Sequence, residues 1–157
     1  MRSVLTPRIN VLIVTLSLGA SPLTAQQGAP CGNWPTYGGD LGHTRYSPLA
    51  QINADNFDSL ELAWRFRTEN LGPRPEFIFQ ATPLMVDGVL YTTAGTRRAA
   101  VALDAETGEM LWVHRLNEGD RGASAPRRLS GRGLTYWDDS ADGVIFYVTP
   151  GYSLIAL

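Results

Sequence analysis

The chain has 157 residues, of which 44% are hydrophobic and 18% are charged. This balance is typical of a globular domain and excludes a largely disordered chain. The formal net charge is −2, which argues against a nucleic-acid-binding protein because such proteins present a basic face. The chain also has four Trp, six Tyr, 16 Gly and 10 Pro, a composition that favours many short strands joined by tight turns.

The N-terminal residues have the pattern of a secretion signal. Two arginines precede an apolar run over residues 11–20, and Ala25 offers a small residue at a cleavage position. The pattern predicts a signal peptide over residues 1–25 and export to the periplasm. An uncleaved anchor is the alternative, although the run is shorter than the ~20 residues that a membrane span needs. Residues 26–33 are small and polar, and we expect a flexible lead-in there.

Strands are predicted from the middle of the chain onwards. Residues 34–52 are rich in Gly and Tyr, and we expect an ordered, extended segment closed by a turn, because its large aromatic side chains need burial. Residues 60–68 alternate between apolar and polar side chains, which predicts a half-buried strand. Asp87-Gly88 lies between two apolar runs, and this dipeptide in that setting is a strong signal for a hairpin turn.

A second hairpin is predicted over residues 99–114. Asp104 can cap its turn with a side-chain oxygen, and Gly108 can adopt the positive φ that closes it. Residues 117–131 are polar and are predicted to form a long surface loop, a type of loop that is often functional. No amphipathic helix is predicted after the signal peptide, and three further strands are expected at residues 134–137, 144–148 and 153–157.

The strand pattern repeats along the chain. The segment 87–91, Asp-Gly-Val-Leu-Tyr, recurs at 142–146 as Asp-Gly-Val-Ile-Phe, and Ala102-Leu103 recurs as Ala156-Leu157. A unit of about 50 residues built from short strands indicates a four-stranded propeller blade. The predicted fold class is therefore all-β, with about two blades of a β-propeller. Because a propeller needs about four blades or more to close, we expect this chain to be a fragment of a longer protein.

Residues 102–112 read A-L-D-A-E-T-G-E-M-L-W. They resemble the tryptophan-docking motif A-x-D-x-x-T-G-x-x-x-W of pyrroloquinoline quinone (PQQ) enzyme propellers, whose role is structural. Four other segments resemble quinoprotein alcohol and glucose dehydrogenases in the same order along the chain: 34–49, 56–64, 80–91 and 131–137. The resemblance covers residues 34–157 and implies the first blades of an eight-bladed β-propeller.

The resemblance also implies an activity. In this family PQQ, with Ca²⁺ bound against it, lies in the central funnel and takes electrons from a sugar or an alcohol. The electrons pass to ubiquinone or cytochrome c, and some members associate peripherally with the membrane. The catalytic Asp and the Ca²⁺ ligands are expected beyond Leu157. We therefore assign no catalytic or metal-binding residue to this chain, and we expect it to have no dehydrogenase activity by itself.

Two cofactor-binding residues follow from the resemblance. Arg132 matches an arginine that contacts the cofactor carboxylates, which a guanidinium can bind with two hydrogen bonds; the alternative is a surface arginine. Gln80 stands where many members have a Glu that binds the cofactor, and Gln keeps an acceptor but loses the charge. The alternative is a strand residue that does not touch the cofactor. Residues 123–129 lack the two adjacent cysteines of alcohol-oxidising members, which favours the sugar-oxidising branch.

A non-enzymatic alternative stays open. Propellers with PQQ-like repeats also serve as periplasmic binding or assembly scaffolds, but they usually lack segments like 34–49 and 131–137, which favour the enzyme. His43, His114 and the single Cys31 form no cluster in sequence, so we predict structural roles for the histidines and an unpaired thiol.

Overall fold

The computed structural model describes residues 28–74, 76–129, 131, 133–138 and 143–157. Its strands form two antiparallel sheets. The first sheet has the strands β1 (Leu84–Val86), β2 (Val89–Ala94), β3 (Ala99–Asp104) and β4 (Met110–His114), paired in that order. The second has β5 (Thr135–Trp137), β6 (Val144–Val148) and β7 (Leu154–Ala156). The predicted signal peptide, residues 1–25, lies outside the described residues.

The predicted β1–β2 hairpin is confirmed. Val86 pairs with Val89, so only two residues form the turn. Asp87 has φ 48° and Gly88 has φ 81°, and a two-residue turn with both central residues at positive φ matches the right-handed twist of the strands. The Asn33 amide also contacts Asp87, whose backbone N–H donates to Asn33 Oδ1 at 2.9 Å.

The β3–β4 hairpin is also confirmed, with the predicted cap. Asp104 Oδ1 accepts hydrogen bonds from the backbone N–H groups of Glu106 and Thr107, at 3.0 and 2.8 Å, and from Thr107 Oγ1 at 2.9 Å. These bonds hold the pKa of Asp104 below its ordinary 3.8, and the bond from the Thr107 backbone N–H has the largest effect. Gly108 has φ 74°, as the turn requires.

Strand β3 lies at the centre of the core, because side chains on both of its faces are buried. On one face, Val101 and Leu103 pack with Leu71 in a cluster that Trp64 and Phe66 cover, called here the outer cluster. On the other face, Ala100 packs with residues of both sheets in the inter-sheet cluster, whose buried members are Leu84, Ala100, Leu134, Ile145 and Tyr147. Alternate residues of a strand face opposite sides, so β3 joins the two clusters.

The prediction of a strand over residues 60–68 is wrong. This segment joins no sheet in the described structure, and Leu60 and Leu62 are 51% and 72% exposed. Only the second half keeps the predicted alternation, with Trp64 and Phe66 partly buried against the outer cluster. An alternating pattern reports which side chains face a core, not whether the backbone finds a pairing partner. This segment is held in place by the packing of Trp64 and Phe66 on the outer cluster, not by backbone pairing.

A short helix lies where the sequence predicted only loop. Helix α1 (Gly119–Ala123) has five residues and no side-chain N-cap, so it is too short to show an apolar periodicity. The rest of residues 117–129 is irregular, as predicted. Two three-residue 3₁₀ turns, Pro30–Gly32 and Phe57–Ser59, also occur. Across the ranges described above, no helix has the length and apolar character that a membrane crossing needs.

The segment 34–52 is ordered and extended with a turn, as predicted. Trp34 forms an isolated antiparallel bridge with Met85, in which each backbone N–H donates to the other carbonyl, at 2.6 and 3.1 Å. In the turn, the Asp40 carboxylate accepts from the backbone N–H and the Oγ1 of Thr44, at 2.9 and 2.8 Å. The expected burial of the aromatic side chains does not hold for Tyr37 and Tyr46, which are exposed.

Candidate functional site

Two segments that are about 50 residues apart in sequence lie side by side. A Cβ placed on Gly131 would lie 2.8 Å from Gln80 Oε1 and 3.0 Å from Gln80 Cβ. A Cβ on Gly133 would lie 3.8 Å from the Thr82 carbonyl oxygen. The two glycines that flank position 132 therefore lie beside the Gln80–Thr82 segment, and at Gly131 the close approach requires the absence of a side chain. Arg132 itself lies outside the described residues, so its predicted role stays a prediction.

Gln80 and Gly131 line an open cleft of about 380 Å³. Four arginines also line it, Arg74, Arg98, Arg127 and Arg128, and none of the lining residues in the described ranges is an Asp or a Glu. A cleft lined by charges of one sign attracts ligands of the opposite sign. The chemistry of this lining suits an anion, and Gln80 is exposed within it. Gln80 precedes β1 in an irregular segment rather than lying within a strand.

Arg98 differs from the other three arginines because it is only 5% exposed. It is the last residue of the four-residue turn between β2 and β3, and its φ is 50°. Its Nε donates to Leu129 O at 3.0 Å, one terminal nitrogen donates to Val148 O at 2.9 Å, and the other donates to Arg127 O at 2.8 Å. The guanidinium therefore contacts the loop that precedes Gly131 and strand β6 of the second sheet.

Glu118, in the loop after β4, forms a second polar contact, with the turn that follows β6. Its Oε1 accepts from Thr149 Oγ1 at 2.6 Å, and its Oε2 accepts from the Gly151 N–H at 2.7 Å. Burial acts to raise the pKa of Glu118, but the hydrogen bonds from Thr149 and Gly151 outweigh it, with smaller help from Ser153 and Arg121. The pKa is therefore below its ordinary 4.5.

The lowered pKa of Glu118 gives a pH-dependent contribution to stability. A carboxyl whose folded pKa is depressed stabilises the fold above its ordinary pKa, and this contribution is lost as pH falls through the folded value. We expect stability to fall from neutral pH to below 4.5, and the fall to be smaller in Glu118→Gln. The urea unfolding midpoint, measured across this pH range, reports the stability of both proteins. Glu69→Gln, at an exposed position, is the control. Equal pH dependence in Glu118→Gln and the natural protein would contradict the contact.

The two histidines have different surroundings. His114 Nδ1 lies 2.8 Å from the hydroxyl of the buried Tyr147, whose pKa is raised above 10.0 by burial and then by the charge of Glu118. His43 lies beside the Tyr37 ring, with the ring centres 6.2 Å apart. Among the described residues, no group of three or more His, Cys, Asp or Glu side chains could hold a metal ion. Cys31 is exposed and unpaired.

Sequence reasoning missed Arg98 and Glu118. Neither stands in a recognisable motif, and the one available signal for Arg98 was an Arg-Arg pair between the apolar ends of two predicted strands. Their partners are backbone groups and a hydroxyl in the distant segments 127–129 and 148–151. Such partners have no signature in sequence, because every residue carries a carbonyl.

Comparison with known proteins decides the family. Residues 34–157 match the PQQ family described as "glucose/ethanol/alcohol dehydrogenase, beta-propeller domain", which is most of the chain. The chain belongs to this family. The predicted resemblance and the predicted all-β propeller fold are therefore confirmed, and the two antiparallel sheets are parts of a PQQ-dehydrogenase-type propeller.

Curated relatives within this family oxidise different substrates. The chain is 35% identical to the dehydrogenase subunit of an alcohol dehydrogenase (quinone) of Gluconobacter oxydans, with 88% of this chain and 17% of that protein aligned. It is 39% identical to the quinoprotein glucose dehydrogenase of Escherichia coli, with 62% of this chain and 13% of that protein aligned. This PQQ-family chain thus spans a small part of its relatives, and their names include both an alcohol and a sugar.

Solved structures agree with the family fold. The quinohemoprotein alcohol dehydrogenase of Comamonas testosteroni matches with a TM-score of 0.62 and 31% identity, over 85% of this chain and 18% of that chain. A europium-containing methanol dehydrogenase matches with a TM-score of 0.62 and 27% identity, over 80% of this chain and 21% of that chain. The arrangement of the two sheets in this chain is therefore also found in these two dehydrogenases.

Proposed function

We propose that this chain forms part of the PQQ-binding propeller of an oxidoreductase that oxidises an alcohol or a sugar and passes electrons to a quinone or a cytochrome. One observation carries the proposal: Gln80 and Gly131 lie together at an arginine-lined cleft, in a chain of the PQQ family. The predicted signal peptide supports export, and we propose the periplasm as the compartment, with peripheral membrane association.

The described residues fit PQQ. The cofactor carries several carboxylates, and the cleft has arginines along its lining and no acidic residue among its described lining residues. Arg132 would bind a carboxylate through its planar guanidinium, and the Gln80 amide would donate a hydrogen bond to a cofactor oxygen. Gly131 lets the backbone approach Gln80 closely. PQQ, when bound, supplies the redox chemistry, while the chain supplies its orientation and a positive field.

A metal ion accompanies the cofactor in this proposal. Ca²⁺ prefers several oxygen ligands, and it would act as a Lewis acid on the quinone. Its ligands and the catalytic Asp would come from residues outside the described part of this chain. The europium-containing relative makes a lanthanide ion a second candidate for the same place.

The substrate class is proposed from the residues before Gly131. Residues 123–129 contain no cysteine, whereas alcohol-oxidising members of the family often have two adjacent cysteines there. We therefore favour a sugar over an alcohol, although the named relatives include both. Reduction of a dye acceptor by the PQQ- and Ca²⁺-loaded full-length protein, with glucose and ethanol as substrates, distinguishes the two. Faster turnover of ethanol would contradict the sugar assignment.

The cofactor proposal is tested by PQQ binding to the full-length protein that carries this chain. We expect Arg132→Met to weaken PQQ binding by about tenfold to a hundredfold, since a hydrogen bond to a charged group contributes about 1.5–3 kcal/mol. Quenching of Trp fluorescence on titration with PQQ measures the Kd. Arg65→Met, at an exposed position in the 60–68 segment, is the matched control and should keep the natural Kd.

Two results would contradict the cofactor proposal. If the natural protein does not bind PQQ, the cofactor proposal is wrong and the scaffold alternative is favoured. If Arg132→Met binds PQQ as tightly as Arg65→Met, Arg132 is a surface arginine.

A further inference from the structure

We propose that Arg98 is a positioning residue for the cofactor cleft, which it shapes by tying the loop on one side of the cleft to strand β6. This inference rests on the proposed function. Arg98 lies in the turn of residues 95–98 between β2 and β3, here called the β2–β3 turn. All three guanidinium nitrogens donate to backbone carbonyls of other segments, at 2.8–3.0 Å.

The three acceptors of Arg98 show what it holds. Arg127 O and Leu129 O belong to the loop that leads into Gly131, and that loop lines the cleft. Val148 O belongs to β6 in the second sheet. One side chain from the first sheet thus ties the cleft loop to the second sheet. Loss of these bonds would leave the loop 127–129 free to move relative to Gln80.

The burial and backbone of Arg98 indicate that its position matters. Arginine is almost never fully buried unless its charge is paired, and here the side chain is 5% exposed. Its φ of 50° places it in the left-handed region, which residues with a Cβ rarely adopt. A strained backbone persists only where the surrounding structure requires it. A lysine carries all its donors on one nitrogen, whereas the planar guanidinium uses three nitrogens, so a lysine cannot reach all three of the carbonyls that Arg98 bonds.

The same turn also holds the opposite side of the cleft. The backbone N–H of Gly95 donates to Glu76 Oε2 at 3.0 Å. Glu76 begins the segment that reaches Gln80. One end of the β2–β3 turn is therefore bonded to the Gln80 segment, and the other end to the loop before Gly131. The turn sets the distance between the two sides of the cleft. The Gly95 backbone holds the Gln80 side, and the Arg98 side chain holds the loop side.

The experiment compares Arg98→Lys and Arg98→Met with Arg97→Lys in the full-length protein. Arg97 is the exposed neighbour in the same turn, so its variant controls for a lost guanidinium. We expect the PQQ Kd to rise about tenfold in Arg98→Lys and further in Arg98→Met, and to stay unchanged in Arg97→Lys. Hydrogen exchange should show faster exchange in residues 126–134 of the Arg98 variants, with β1–β4 still protected.

The exchange pattern distinguishes positioning from a general loss of stability. A general loss would speed exchange in β1–β4 as much as in 126–134, and would overturn the inference. A natural Kd in either folded Arg98 variant would also overturn it. Arg98→Met avoids a buried charge, so it should fold where Arg98→Lys does not. If neither folds, the natural protein decides: exchange at 127–129 as fast as in a free peptide, with PQQ bound, would contradict a held loop.

The result also separates this inference from the proposed function. If the natural protein binds no PQQ, the proposed function fails, whatever the exchange data show. If the natural protein and both Arg98 variants bind PQQ equally well, the proposed function stands and only the role of Arg98 is wrong.

Discussion

Replacing Gly95 with alanine is expected to lower the free energy of unfolding by about 3 kcal/mol or more, combining overpacking with a left-handed backbone. Gly95 has φ 76°, and a Cβ there would collide with the Leu71 carbonyl oxygen and lie 2.6 Å from Leu71 Cβ. Leu71 is a buried member of the outer cluster, so it cannot move aside without disturbing the core. Urea unfolding followed by Trp fluorescence measures the change.

Gly88→Ala is the matched control for Gly95→Ala. Gly88 has a similar φ of 81°, but a Cβ there would have no atom within 4 Å. Its substitution should therefore cost only the backbone strain, about 1–2 kcal/mol. If the two variants are equally stable, the close packing of Gly95 against Leu71 is wrong. Because Gly95 also holds Glu76, its variant should weaken PQQ binding as well.

Trp64→Ala is the second large effect that we expect. Trp64 packs on the outer cluster, its Nε1 donates to Ala105 O at 3.1 Å, and a Cβ on Gly108 would lie 2.5 Å from its ring. Since the side chain is only partly buried, we expect a loss at the lower end of the ~3–5 kcal/mol that Trp-to-Ala changes cost in cores. Trp64→Phe should lose about 1 kcal/mol of this through the hydrogen bond.

Leu62→Ala is the control for Trp64, in the same segment. Leu62 is 72% exposed, so its substitution should change stability by less than about 0.5 kcal/mol. A regular strand over residues 60–68 would instead place Leu62 on the same face as Trp64. If Leu62→Ala lost as much stability as Trp64→Ala, the result would therefore support a strand over residues 60–68 and contradict the structure. Chemical unfolding of the three variants under one condition gives the comparison.

The hairpins could be predicted because their determinants are local. Asp87-Gly88 adopts the backbone that a two-residue turn needs, and the Asp104 carboxylate bonds to residues two and three positions later. Neither feature depends on the rest of the fold. The strand over 60–68 failed for the opposite reason, since pairing needs a second backbone at hydrogen-bonding distance, and no alternation of side chains can supply that.

The candidate site was predictable only in part. Gln80 and Arg132 were named from the family resemblance, and that family is now established for residues 34–157. The approach of Gly131 to Gln80, the arginines around them and the buried Arg98 could not be read from the chain. Each depends on contacts between segments that are tens of residues apart, and such contacts leave no regular spacing.

The sequence by itself determined the all-β class, the β1–β2 and β3–β4 turns, the repeat of about 50 residues and the family. These features depend on residues that are neighbours in the chain or on motifs with a set spacing. Only the tertiary structure decided that residues 60–68 pack without joining a sheet and that the β2–β3 turn bonds to both sides of the cleft. The reason is physical: Gly95 and Arg98 are buried at the two ends of this turn, so the Gly95 N–H and the Arg98 guanidinium need partners in whichever segments pack around them.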